Sequence, residues 1–108
     1  PSKKEENKKI NRRKSIIMND KVVITEEMYR LLADRFLSEL GLKDYFSGNI
    51  NITVGDYFVK LSCAVFAYRK YNELSDISCM GYNFSIDEGA VTLDNDFSFD
   101  EFKEYVLC

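Results

Sequence analysis

The sequence predicts an α+β fold in which a helix, a four-stranded antiparallel meander and a C-terminal helix make a two-layer sandwich. Three observations carry this expectation. Ile50, Ile52 and Val54 alternate with Asn49, Asn51 and Thr53 ahead of a Gly55-Asp56 break, which is a hairpin signature. Tyr57, Val59, Leu61, Cys63, Val65 and Ala67 then form an unbroken set of alternate apolar residues, the period of a strand with one buried face. On either side lie stretches of helical spacing with start signals at Thr25 and Ser98.

With 108 residues, 45% hydrophobic and 31% charged, the chain fits one domain able to bury a core without metal or disulfide support. Charge divides it. Residues 1–17 hold seven basic groups (Lys3, Lys4, Lys8, Lys9, Arg12, Arg13 and Lys14) against Glu5 and Glu6, a net +5, so the rest carries −8 behind an overall charge of −3. A segment this basic and this poor in apolar residues cannot offset its own ordering entropy. Residues 1–20 are therefore expected to be a basic flexible or helical N-terminal extension, and residues 21–108 a single α+β domain. The seven basic groups are candidate nucleic-acid contacts through phosphate neutralisation, although no aromatic lies among them to stack on bases.

Lys21 to Ile24 is a β-prone lead-in. Thr25 follows as a helix cap, Glu26 and Glu27 complement the positive end of the helix dipole, and Ile24 with Tyr29 occupy hydrophobic-staple positions. Met28, Leu32, Phe36 and Leu40, reinforced by Leu31 and Leu37, give one broad apolar stripe, and Gly41 stops the helix. A loop is expected over 43–47, a strand over about 49–54, and positive φ angles at Gly55 and Asp56 in the turn. The second strand starts at Tyr57 and reaches towards Tyr71. A turn is expected over 72–75 and a third strand from about Asp76, with a bulge beside Gly81 where the apolar phase shifts from Ile77 and Cys79 to Tyr82, Phe84 and Ile86. Asp87-Glu88-Gly89 reverses the chain into a short last strand containing Val91 and Leu93. Ser98-Phe99-Asp100-Glu101 then reads as a reciprocal capping box, with Phe97 and Phe102 as its staple and Phe99, Phe102 and Val106 as the apolar stripe.

Several chemistries lack their residues. The chain has no histidine, which removes the commonest general base near neutral pH and a leading zinc ligand. No glycine-rich phosphate loop or paired-cysteine zinc spacing occurs. Cys63, Cys79 and Cys108 are expected to be reduced thiols, with Cys63 and Cys79 as small core residues and Cys108 exposed. Asp94 to Asp100 has oxygen side chains at alternate positions like the start of an EF-hand loop. Phe99 stands where that loop needs glycine, however, and Tyr105 where it needs a bidentate glutamate. Asp87, Glu88, Asp94 and Asp96 fall in turns, where local hydrogen bonding explains carboxylates. The expectation is a non-enzyme with no cofactor and no metal. No apolar run is long enough to span a bilayer, and no leader is apparent, so a cytoplasmic protein without membrane contact is expected.

The even-numbered residues of the long strand remain. Phe58, Lys60, Phe66, Tyr68 and Lys70 mix aromatic and basic groups on the side opposite the apolar set. If both helices cover the odd face, the even face is open to a protein partner, and the acidic body disfavours nucleic acid there. The sequence thus points to a small interaction module that binds another protein, or itself, through an exposed sheet face or edge. Nucleic-acid binding through the basic extension is the alternative.

Overall fold

A computed structural model of the chain describes residues 17–18 and 21–108. The elements are β1 (Ile17–Met18), β2 (Lys21–Val22), α1 (Glu26–Leu40), β3 (Tyr45–Val54), β4 (Tyr57–Lys70), β5 (Glu73–Glu88), β6 (Val91–Asn95) and α2 (Phe99–Leu107). The expected helix, meander and helix are present in that order. The strand count is higher because the lead-in joins the sheet, whose order is β1-β2-β6-β5-β4-β3. β2 runs parallel to β6, with Lys21 opposite Asp94 and Val22 opposite Asn95, so the sheet is mixed. The expected extension over 1–20 therefore includes β1, and its other residues, among them all seven basic groups, lie outside the described residues.

Both helices start as their sequences dictate. Thr25 Oγ1 accepts from the Met28 amide at 3.2 Å, and Ser98 Oγ accepts from the Glu101 amide at 3.3 Å, each satisfying a donor the helix leaves orphaned. The capping box at Ser98 is only half formed. The Ser98 amide donates to the Tyr29 hydroxyl at 3.0 Å, in place of the Glu101 carboxylate, because α1 packs against α2 and brings a buried phenol to that spot. Gly41 ends α1 at φ 56°, its amide donating to the Leu37 carbonyl. The buried stripe of α1 is Met28, Tyr29, Leu32, Ala33, Phe36 and Leu40; Leu31 and Leu37 flank it and are exposed.

The strand ends correct three readings. β3 begins at Tyr45, well before Asn49, since Ser47 and Gly48 are carried inside the ladder with β4. Only Gly55 of the first turn has positive φ, as a turn with glycine at its first central position requires. The β4–β5 turn is Tyr71-Asn72, with φ of 55° and 70°, so β5 starts at Glu73 rather than Asp76. The bulge beside Gly81 is present, where the register skips Met80 between Ala64–Gly81 and Val65–Cys79.

Both helices cover the same side of the sheet. Tyr57, Val59, Leu61, Cys63, Val65 and Ala67 of β4 are all buried there, together with Ile50 of β3 and Ile77 and Ile86 of β5. Phe36 of α1 packs edge-on against Phe46 of β3 and Phe102 of α2, and Phe97 stacks on Phe84 of β5 with centroids 4.1 Å apart. Each fully buried side chain of this kind contributes roughly 1.5–3 kcal/mol through lost apolar hydration. The opposite side of the sheet has no covering layer among the described residues.

Candidate interaction surface

Register decides what the open face displays. Across β3, β4 and β5, neighbouring residues share a face, so Tyr45, Ser47, Asn49, Asn51 and Thr53 stand beside Phe66, Ala64, Ser62, Lys60 and Phe58. On the other side of β4 come Ser78, Gly81, Asn83, Ser85 and Asp87. Phe58, Phe66 and Tyr68 are between 40% and 51% exposed, and Lys60 and Lys70 are exposed as well. All five sequence-chosen residues of β4 therefore lie off the core.

They do not form one cluster. Phe58 and Phe66 are eight residues apart on an extended strand, about 26 Å. Phe66 instead gains Tyr45, whose ring lies 4.8 Å from its own and which is itself 43% exposed. Tyr45, Phe66 and Tyr68 form an aromatic group at one end of the face. Phe58 stands alone at the other end beside Thr53. Between them is a floor of short polar residues with a shallow depression of about 480 Å³, lined by Ser47, Asn49, Ser62, Ala64, Gly81 and Asn83. The Ser62 hydroxyl donates to Asn49 Oδ1 at 2.5 Å, tying β3 to β4 across this floor. Alternation does not reveal Tyr45, because its segment reads as a loop. Counting back along the hairpin from Gly55-Asp56 places it opposite Phe66.

Three oxygen side chains at the strand ends, two carboxylates and one carboxamide, have structural partners. Asp96 Oδ1 accepts from the Ile24 amide, Asn95 Oδ1 from the Phe97 amide at 3.0 Å, and Asp87 Oδ1 from the Thr92 hydroxyl at 2.7 Å. Asp76 is held by Lys103 at 3.0 Å, a contact that lowers its pKa along with the Ile77 amide. Among the described residues no group of acidic or thiol side chains is placed to hold a metal ion. The three cysteines are free thiols. Burial pushes the Cys63 thiol up to about 11, with Cys79 adding to the rise, and burial also raises Cys79, so neither is a ready thiolate at neutral pH.

Arg69 locks the beginning of the hairpin. One Nη donates to the carbonyls of Gly41 at 3.0 Å and Lys43 at 2.6 Å, anchoring the α1–β3 connection to β4. Its Nε is buried without a hydrogen-bond acceptor, the nearest carboxylate oxygen of Asp44 being 3.9 Å away. Among the described residues no helix is long and apolar enough to cross a membrane. No protein-family model matches the chain, and no curated protein or solved structure is significantly similar to it.

Proposed function

We infer that the protein is an interaction module whose open sheet face binds another protein. The observation that carries this reading is the set of Tyr45 and Phe66, with rings 4.8 Å apart, and Tyr68 two residues further along β4, all half-exposed on a sheet whose other face already houses the core. Aromatic side chains supply large contact area at small entropic cost, and they dominate the well-packed centres of protein interfaces. The uncharged polar floor beside them, short of Lys60, can be desolvated without burying an unpaired charge.

Phe66→Ala and Tyr68→Ala test it. Each should weaken capture of a protein partner by about tenfold or more. Each should shift folding stability by less than about 1 kcal/mol, since neither ring lies in the core. The measurements are partner affinity and the urea midpoint of the same variant. Unchanged affinity with a large fall in the midpoint would return the rings to a structural role.

A second reading, nucleic-acid binding through Lys3, Lys4, Lys8, Lys9, Arg12, Arg13 and Lys14, rests on the +5 charge of residues 1–17. It requires a steep salt dependence of binding to random-sequence DNA that vanishes when residues 1–17 are removed.

A further inference from the structure

The outer edge of β3 has no neighbouring strand among the described residues. Its sequence from Tyr45 to Val54 is ten residues long and contains no charge and no proline, the two commonest edge guards. Because a two-residue turn makes Val54 and Tyr57 a hydrogen-bonded pair, the even residues of β3 bond to β4, and the odd ones point their amides and carbonyls outward. The bond from the Ala67 amide to the Asp44 carbonyl, at 2.8 Å, continues the same phase. Tyr45, Ser47, Asn49, Asn51 and Thr53 thus present a row of backbone donors and acceptors that no described residue meets.

The same sheet shows what a guarded edge looks like. Of β5, only Ile86 to Glu88 pair with β6, so the earlier part of β5 is also unpaired on that side among the described residues. That flank carries the bulge at Met80, a second irregularity near Ser75, and the charges Glu73 and Asp76, the latter held by Lys103. β3 has none of these devices.

We propose that β3 pairs antiparallel with β3 of a second copy about a two-fold axis at Asn49, joining the two sheets into one. This rests on reading the domain as a protein-contact module and names the partner for its edge. The outward row is self-complementary, as such an axis demands. Three features select the register. Asn49 faces Asn49 of the second copy, Ser47 faces Asn51 and Tyr45 faces Thr53, so every outward residue of β3 is used, for about ten backbone hydrogen bonds. Continuing the register sets Lys43 opposite Gly55 and beside Asp56 of the second copy, whereas an axis at Ile50 would oppose Asp44 to Asp56. Finally, Tyr45 pairs with Phe66 and Thr53 with Phe58, so the join creates one cross-strand row, Phe66, Tyr45, Thr53 and Phe58, shared between copies. The isolated Phe58 of one copy thereby falls in line with the aromatic group of the other.

The helices also fit this arrangement. Paired residues share a face, so both copies carry their helices on the same side and α1 meets α1. Tyr29 and Arg30 both lie against Tyr105 of α2, which turns the next residue, Leu31, to the opposite flank, where it is exposed. Apolar contact is available where the two helices approach.

The test is sedimentation of the full chain over a range of concentration. Asn51→Pro removes an outward donor without touching the β4 ladder, and Asn49→Lys sets two ammonium groups face to face across the axis. Each should raise the dimer dissociation constant at least about tenfold. Phe66→Ala should leave it within about twofold. A chain that stays monomeric at all concentrations overturns the proposal and leaves the open-face reading to its own affinity measurement. A dimer broken by Phe66→Ala and indifferent to Asn51→Pro and Asn49→Lys also overturns it, placing self-contact on the face. So does a monomer that dimerises only after removal of residues 1–16, which would make that segment the occupant of the edge.

Discussion

Tyr29 shows how one residue can do work that its sequence position does not announce. It holds a staple position at the start of α1, and that alone explains why its ring is buried. Its hydroxyl also accepts from the Ser98 amide, a donor that belongs to the other helix, and its ring stacks on Tyr105 with centroids 5.4 Å apart. Burial, with Glu101 and Asp96 nearby, pushes its phenol up to about 12, from an ordinary value of 10.0, against the opposing effect of the Ser98 amide. The folded state therefore holds this proton more tightly than the unfolded chain does. The stability linked to it is fully present below pH about 10 and is lost as pH rises towards about 12. Tyr29→Phe should cost about 1 kcal/mol at neutral pH, because the Ser98 amide loses its acceptor. It should also flatten the alkaline fall in stability, so wild type and variant should converge between pH about 10 and about 12. Urea midpoints at neutral and alkaline pH measure both effects, and parallel curves would show that the phenol does not titrate in that window.

At the scale of elements, whatever was governed by local chemistry was legible in the sequence. Thr25 and Ser98 announce their helices because a capping oxygen and its amide lie within three residues of each other. The buried and open faces of β4 follow from the alternation of Tyr57 to Ala67. Long-range terms decided the rest. Ser47-Gly48 looks like a break, yet Gly48 is held in β3, where the Phe46 ring lies against it, 3.2 Å from where a Cβ would stand. Of the open-face residues, Tyr45 was therefore hidden, while Phe58, Phe66 and Tyr68 were readable from alternation alone. The β4–β5 turn falls earlier than the sequence suggests because Tyr71 is not a turn residue by chemistry. Its φ of 55° is forced by the hairpin, in which Lys70 pairs with Glu73 across two residues. A turn with two positive φ angles favours asparagine and glycine, and a large side chain there is strained. Tyr71 is 92% exposed, so its ring returns little packing. Tyr71→Asn should accordingly stabilise the domain by about 0.5–1 kcal/mol, read as a higher urea midpoint at unchanged slope. A lower midpoint would mean that the ring makes a contact worth more than the backbone strain.

Over the whole molecule, the least legible feature is the closure of the sheet, because it joins residues from opposite ends of the described chain. β2 has only two residues, too short to hold itself in place by ladder bonds alone. What fixes it is Asp96, 72 positions from Ile24, whose carboxylate accepts from the Ile24 amide at 2.8 Å while its own amide donates to the Val22 carbonyl at 3.2 Å. The sequence accounts for Asp94 and Asp96 by local hydrogen bonding in a turn; in the fold, Asp96 instead reaches across the chain as a side-chain clasp that seats β2 beside β6 and delivers Thr25 to the start of α1. Removing the carboxylate should orphan a half-buried amide and loosen the parallel join, while leaving the meander and its open face intact. Asp96→Ala should lower stability by about 1.5–3 kcal/mol, the range for a hydrogen bond to a charged group. Asp96→Asn, which keeps an oxygen at the same place, should recover part of that loss. Amide exchange would localise the effect, with protection falling at Val22 to Ile24 in Asp96→Ala and persisting at Val59 to Val65. Uniform loss of protection across β4 would instead make the clasp part of the global folding unit.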